Sequence, residues 1–317
     1  MAAFILAPME GLTDVHMRHV LTQISQYDWC VSEFLRVTDR LLPASSFLAH
    51  CPELLQGSRT ANGTPVHLQL LGSEPEVMAE NAARAAALGV AGIDINFGCP
   101  AKTVNRHRGG AALLAEASLM HDIVACVRRA VPEDTPVSAK IRLGISDASA
   151  LQENASAIRS AGADWLTIHG RTREQGYRPP VDWAAIGRVK ARHADWRIIA
   201  NGDIASPESA AICREESGCD DLMLGRAAVC EPDLVARLRA PMIQALSWRS
   251  VQAWQLHFLQ RMQGAEQGIV GRYKQWLGMT AQVYPEAAML FQRVKKLRRI
   301  HEVLDVVAMS AGQQPVS

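Results

Sequence analysis

The chain has 317 residues, of which 48% are hydrophobic, 21% charged and 5% aromatic, a balance that excludes disordered, collagen-like and disulfide-framework classes. Its 33 Lys/Arg against 32 Asp/Glu give a formal charge of +1, so no overall basicity announces a nucleic-acid partner. Seven cysteines form no C-x-x-C pair and no metal-ligand spacing, which points to free thiols in a reducing cytoplasm and to no metal centre.

In chain order, short apolar runs at 4–7, 29–32, 66–71, 92–96, 137–143, 165–169, 197–201 and 221–224 read as strands. Most are nearly continuous in hydrophobicity, as parallel strands covered on both faces require. The first run stops at Pro8 and lacks a basic flank, so it reads as a strand and not as a signal sequence. No apolar stretch is long enough to span a bilayer, and a soluble, cytoplasmic protein is expected. Amphipathic segments separate the strands, as at 75–88, where Ala82, Ala85 and Ala86 fall at helical spacing. Eight strands alternating with helices predict a (β/α)8 barrel, with an open doubly wound sheet as the alternative.

The polar residues favour the barrel, because strand after strand ends in a polar or glycine-rich cluster. These are Pro8-Met9-Glu10-Gly11, Gln69 with Gly72, Asn96, Lys140 with Arg142, His169-Gly170-Arg171, Asn201-Gly202-Asp203 and Gly225-Arg226. In a barrel all such ends converge on one face, the face that carries chemistry.

Beyond residue 241 the alternation stops. Ser247 is placed to cap a helix with Val251, Trp254, Phe258 and Met262 on its apolar stripe. Helical segments at 269–283 and 285–301 follow, the second carrying Leu290, Val294 and Leu297 on one face and Arg293, Lys295, Lys296, Arg298 and Arg299 around the rest. The expected organisation is a barrel over 1–241 and a small helical domain over 242–317, with a frayed end after Gly312. Residues 241–317 hold nine Lys/Arg against four Asp/Glu, a net of +5, while the first 240 residues carry −4. A basic appendage on a mildly acidic body is a hint about partners.

The strongest local signal is Asp94-Ile95-Asn96-Phe97-Gly98-Cys99-Pro100, followed by Lys102, Arg106, His107 and Arg108. Cys99, between a glycine and a proline just past a strand, is held on a loop at the functional face. A buried loop cysteine is the plainer explanation on spacing alone. Gly202 and Gly225-Arg226 follow strands seven and eight, where barrels commonly bind phosphate, although glycines also simply end strands. Lys140 in a barrel mouth must meet an anion or lose solvation. His169 taken alone is equally a core histidine.

Together these residues resemble the tRNA-dihydrouridine synthase family over nearly the whole chain. The matching stretches are Ala7-Pro8-Met9-Glu10-Gly11, Gln69-Leu70-Leu71-Gly72, Asn96-Phe97-Gly98-Cys99-Pro100, Lys140-Ile141-Arg142-Leu143-Gly144, His169-Gly170-Arg171-Thr172, Ile199-Ala200-Asn201-Gly202-Asp203 and Met223-Leu224-Gly225-Arg226. Ser32-Glu33-Phe34-Leu35-Arg36-Val37 and Tyr273-Lys274-Gln275-Trp276-Leu277 are similar to the bacterial C-type branch, which acts on uridine 16 of the D-loop. The resemblance implies an FMN enzyme that reduces one uridine of tRNA with electrons from NADPH. It implies Pro8, Met9 and Glu10 lining the flavin, Gln69 and Lys140 at the ring's polar edge, and His169 close by. Asn201, Gly202, Asp203, Gly225 and Arg226 would hold the phosphate. Cys99 would be the acid that protonates C5 of the uracil, and Asn96 would bond the base edge. Tyr177, after Gly176, is a candidate to stack on or bond the flipped base and is equally an ordinary loop tyrosine.

A free thiol is largely protonated at neutral pH, but Lys102, Arg106 and Arg108 are expected to pull Cys99 towards thiolate, with RNA phosphates offsetting that field. Arg36, Arg272, Lys274, Arg293, Lys295, Lys296, Arg298 and Arg299 are the expected contacts to the tRNA backbone. A monomer is the default expectation. The rival functions are a flavin dehydrogenase of a free pyrimidine or related small molecule, and a non-catalytic RNA-binding protein on the same scaffold.

Overall fold

The apolar runs become β1 (Phe4–Leu6), β2 (Trp29–Arg36), β3 (Val66–Leu71), β4 (Ile93–Asn96), β5 (Val137–Arg142), β6 (Trp165–His169), β7 (Arg197–Asn201) and β8 (Leu222–Leu224). All neighbouring pairs are parallel, and β1 pairs with both β2 and β8, so the sheet closes into a barrel. The open-sheet alternative is thereby excluded. The computed structural model describes residues 2–106, 109–261 and 268–312; of the residues named above, His107, Arg108 and Met262 lie outside these, as does the expected frayed end past Gly312.

The crossovers are α1 (Val15–Ile24), α2 (Ala44–His50), α3 (Pro75–Ala87), α4 (Lys102–Asn105), α5 (Ala117–Ala130), α6 (Leu151–Ser160), α7 (Trp183–Arg192) and α8 (Pro207–Ser217), with α9 (Arg226–Cys230) and α10 (Leu234–Arg239) after the last strand. Their ends follow local chemistry. Asp14 caps α1 by accepting from His16 N and Met17 N, and Ser206 and Ser209 form a capping box at α8, which stops at left-handed Gly218.

Period-2 alternation turns half of each strand inward. At the N-terminal end of the barrel the rings of Trp29, His67 and Trp165 lie 5.4–5.6 Å apart, with Arg197 4.9 Å above Trp29 and 5.7 Å above Trp165. Burial, helped by Arg197, pushes His67 down to about 3, so this plug holds a neutral imidazole. The buried rings fill this end of the barrel.

β2 runs four residues past the expected end because a register shift between Val31 and Phe34 lets it bend and continue. The bend delivers Phe34 to the mouth, and Glu33 Oε1 accepts from Leu12 N at 3.0 Å, tying β2 to the loop after β1.

Among the described residues four helices follow: α11 (Trp248–Arg261), α12 (Ile269–Thr280), α13 (Pro285–Val294) and α14 (Ile300–Ser310). Ser247 caps α11, accepting from Ser250 N at 3.3 Å, and Val251 and Phe258 are buried as the stripe requires. The single helix expected over 285–301 is in fact broken. The Lys274 ammonium, reaching over from α12, donates to the carbonyls of Lys295 (3.0 Å) and Leu297. Glu302 accepts from Arg299 N at 3.3 Å to start α14. Lysine satisfying final carbonyls is a normal C-terminal device, here supplied from a neighbouring helix. These helices dock on the barrel through the fully buried Trp276, whose indole N–H donates to Val229 O at 3.0 Å, and through an Arg272–Asp14 ion pair at 2.9 Å. Among the described residues no helix is long and apolar enough to cross a membrane.

Candidate active site

The C-terminal ends of the strands open into one cleft of about 1010 Å3. It brings together Pro8, Met9, Glu10, Gln69, Asn96, Cys99, Lys140, His169, Tyr177, Asn201, Gly202, Asp203, Gly225 and Arg226, fourteen of the residues singled out in the sequence. Cavities of this size that gather polar groups at a barrel's C-terminal face are the usual place for a cofactor and substrate.

Cys99 is held by its backbone. Asn96 Oδ1 accepts from Gly98 N and Cys99 N, each at 2.9 Å, and the Cys99 carbonyl accepts from Ala111 N and Asn105 Nδ2, each at 3.0 Å. Gly110, at φ +59°, passes so close that a Cβ there would lie 2.9 Å from Cys99 O and 3.0 Å from its Cβ. That approach and that backbone conformation both require glycine. Burial pushes the Cys99 thiol up from its ordinary value, assisted by Glu10, against the opposing pull of the Ala101 N–H, Arg142 and Lys140. The expectation of a thiol drawn towards thiolate by its own loop is therefore corrected. Lys102 and Arg106 are exposed, Arg108 lies outside the described residues, and burial outweighs the cations nearest the thiol.

Gln69 and Asn96 face one another at the base of the cleft. Asn96 Nδ2 donates to Gln69 Oε1 at 2.8 Å, Gln69 Nε2 donates to Asp94 Oδ2 at 2.7 Å, and Ser138 Oγ donates to Asp94 Oδ1 at 2.6 Å. Much of their hydrogen-bonding capacity is thus spent on each other.

Lys140 projects into the cleft, and among the described residues no carboxylate lies within ion-pair distance of it. Burial and the neighbouring Arg142 push it down to about 8, against the pull of Asp94 and Cys99. His169 is held neutral, well below 6.5, by burial and then by Lys140, Arg142, Arg171 and Arg226. Its Nδ1 is buried without a hydrogen-bond partner. A bare ammonium and an unpartnered imidazole nitrogen are what an anionic or acceptor-rich ligand would complete.

On the far side, Gly202 (φ +124°) has Val181 Cγ2 and His169 Nε2 within 3.0 and 3.6 Å of where a Cβ would stand, so no side chain fits there. Asn201 Nδ2 donates to Met223 O at 2.8 Å, locking β7 to β8. The Asp203 carboxylate accepts from the buried Arg171 and, at 3.1 Å, from Arg226. Asp203 is therefore committed to orienting Arg226. A carboxylate would repel a phosphate, so only its backbone remains for one. The guanidiniums of Arg142 (5.3 Å) and Arg226 (4.7 Å) lie against the half-exposed ring of Tyr177, which is nearly perpendicular to the His169 ring at 6.3 Å.

The expected RNA contacts divide. Arg272 and Lys274 are spent inside the protein, on Asp14 and on the carbonyls of Lys295 and Leu297. Arg36 is half-buried at the end of β2. Arg293, Lys295, Lys296, Arg298 and Arg299 are exposed, although the Lys295 ammonium bonds Gln292.

Arg142, placed with Lys140 at a strand end by the sequence, has a role that was not foreseen, and two groups of lining residues were not foreseen at all. Arg142 donates to Gly98 O (2.9 Å), Thr172 O (3.1 Å) and Gly176 O (2.8 Å), joining the Cys99 loop to the Tyr177 loop. Its spacing of two from Lys140 puts both on one face of β5, a signal present in the sequence. Phe34 depends on the β2 bend. Gln275, Met279, Gln282 and Val283 reach the cleft from the C-terminal helices, a placement set by docking and carried by no local pattern.

A parallel barrel with a thiol, an ammonium, a neutral histidine and a glycine-lined arginine pocket at its C-terminal mouth defines a class of barrel enzyme. The solved structures most informative for the fold are a 2-naphthoyl-CoA reductase complex (TM-score 0.58, 13% identity, 75% of this chain and 50% of that one) and TcOYE with pHBA (0.53, 13%, 77% and 90%). The chain thus spans half the length of the former, and both likenesses concern the barrel fold. The particular family follows from sequence. Residues 5–309 match the family described as dihydrouridine synthase (Dus), and the chain belongs to that family. It is 46% identical over 312 residues to the tRNA-dihydrouridine(16) synthase of Ralstonia nicotianae, covering 97% of this chain and 95% of the relative. The protein of that name from Aquipseudomonas alcaligenes is 45% identical (96% and 98% covered), and that from Salmonella typhimurium 44% (94% and 96%).

Proposed function

We propose that this protein reduces uridine 16 in the D-loop of tRNA to 5,6-dihydrouridine, using a bound FMN recharged by NADPH, with Cys99 as the proton donor. Near-full-length similarity to relatives named tRNA-dihydrouridine(16) synthase supports the substrate and position. The observation that carries the chemistry is the single cleft shared by Cys99, Lys140, His169 and the Gly202–Arg226 pocket.

The cleft fits a flavin mononucleotide. Lys140 and the unpartnered His169 Nδ1 suit the acceptor-rich edge of the ring, while Pro8, Met9 and Glu10 form a wall. Gly202, Gly225 and Arg226 suit a phosphate, with Asp203 aiming the guanidinium. Bound there, the flavin supplies a hydride to C6 of the uracil.

The residues of the chain supply the rest. Charge that develops on C5 and O4 is quenched by a proton from Cys99, whose burial keeps it as thiol at neutral pH. The Lys140 cation stabilises negative charge beside it in a partly desolvated site. The target base must leave its stack to reach the mouth, where the half-exposed Tyr177 ring offers a stacking platform. Exposed Arg293, Lys295, Lys296, Arg298 and Arg299 would take up backbone phosphates, giving residues 242–317 the role of a tRNA-binding domain on a catalytic barrel of residues 1–241. The protein is expected to act as a cytoplasmic monomer.

The test is single-turnover oxidation of the reduced enzyme. Unmodified tRNA should oxidise it at least about a hundred-fold faster than free uridine at equal concentration, since binding energy from the remote RNA drives orientation. Comparable rates on both would favour a small-molecule dehydrogenase.

A further inference from the structure

The donor and acceptor pattern beneath Cys99 is fixed from both ends. At the top, the backbone N–H groups of Gly98 and Cys99 can only donate, so the Asn96 atom 2.9 Å from each is its oxygen. That choice turns Asn96 Nδ2 towards Gln69 Oε1 (2.8 Å) and leaves Gln69 Nε2 facing Asp94 (2.7 Å). At the bottom, the Asp94 carboxylate can only accept, and Ser138 fills its second oxygen at 2.6 Å. Gln69 and Asp94 are 0% and 1% exposed, so bulk water cannot substitute for a lost partner. We infer that Asp94 is a positioning residue for proton transfer: its carboxylate sets the direction of the Gln69–Asn96 hydrogen-bond chain that pins the Gly98–Cys99 backbone. The inference rests on Cys99 being the proton donor.

The physical reason is that amides are two-faced and a carboxylate is not. With an amide at position 94, Gln69 can be met by an N–H instead of an oxygen, and only the two backbone donors at the top then oppose the reversal. In that case Gln69 turns over, Asn96 must follow, and its NH2 is driven against two backbone donors. The turn holding Cys99 then loses both bonds, and each buried group left unpaired carries a substantial penalty. Burial pushes the Asp94 carboxyl up from its ordinary value, and the hydrogen bonds from Gln69 and Ser138, with Lys140 registered beside Asn96 on β5, pull the other way towards the ionised form.

The test is iodoacetamide alkylation of Cys99 in the full-length protein with excess FMN, followed by mass spectrometry of its peptide from pH 7 to 10.5, with folding checked by circular dichroism. In Asp94→Asn the loosened turn should expose the thiol, raising its alkylation rate at pH 8 at least about three-fold and moving the half-point down towards that of an ordinary thiol. The double variant Asp94→Asn/Gln69→Glu places an accept-only group one step higher, where it can receive an N–H from the new amide below and from Asn96 above, and should return the profile to wild type. A single variant within three-fold of wild type with an unmoved half-point overturns the inference, as does a folded double variant that keeps the altered profile. Should the single variant not fold, the double variant decides alone: a folded protein with the wild-type profile supports the inference. Failure of the proton-donor assignment reads out separately, as a Cys99→Ala enzyme that still reduces tRNA at the wild-type rate.

Discussion

Lys140 sets the charge at the mouth of the barrel, and its position between titration and burial has a consequence for cofactor affinity. Held at about 8 by its burial and by Arg142, it is a cation below that pH and loses its charge as pH rises. An anionic or acceptor-rich ring edge against it would push it back up, so binding takes up a proton in that window. FMN affinity should therefore weaken above pH 8, by up to about ten-fold per pH unit, in a fluorescence titration. Lys140→Met should bind more weakly at pH 7 and show no such slope; a slope that persists in the variant would assign the proton elsewhere. At this scale the sequence was largely legible, because Cys99, Lys140, His169 and the glycines announce themselves by type and by place after a strand. What escaped was connectivity. Nothing in the string says that Gln69 and Asn96 spend themselves on Asp94, that Asp203 is bound to two arginines, or that Arg142 ties two loops together. The direction of the Cys99 shift was misjudged for a related reason: neighbouring charges can be counted in a sequence, whereas burial cannot.

Strands and crossover helices carry their own signals, and all eight strands fall where hydrophobic runs and polar ends predict. Two departures have non-local causes. β2 continues through Glu33 because a register shift accommodates it, and the break at Lys295–Arg299, which contains neither glycine nor proline, is set by the Lys274 ammonium of another helix. The aromatic plug gives a stability prediction at this level. Trp165 packs on Trp29 and His67 beneath Arg197, and Trp165→Ala should cost about 3–5 kcal/mol by transfer and cavity formation. Urea unfolding measures it. A loss below about 1 kcal/mol would mean the barrel floor collapses to fill the gap.

The whole molecule divides its charge, with −4 over the first 240 residues and +5 over the remainder, so a polyanion approaching the cleft meets attraction from the helical side. Simultaneous Lys295→Ala, Lys296→Ala, Arg298→Ala and Arg299→Ala should weaken tRNA binding and flatten log Kd against log salt by about two to three units, at roughly 0.7 for each phosphate no longer neutralised. FMN binding should be untouched, and an unchanged salt slope would move the RNA surface elsewhere. Gln275 and Met279 of α12, with Gln282 and Val283 in the turn after it, line the cleft, so the C-terminal helical segment also borders the proposed site of reaction. The most direct test of the account is the dihydrouridine content at position 16 of tRNA from cells lacking this protein. The modification should vanish, return in full with the wild-type protein, and fall at least about a hundred-fold short in rate with Cys99→Ala, the loss expected for a missing general acid. Dihydrouridine persisting at that position without the protein, or restored at the wild-type rate by Cys99→Ala, would contradict it.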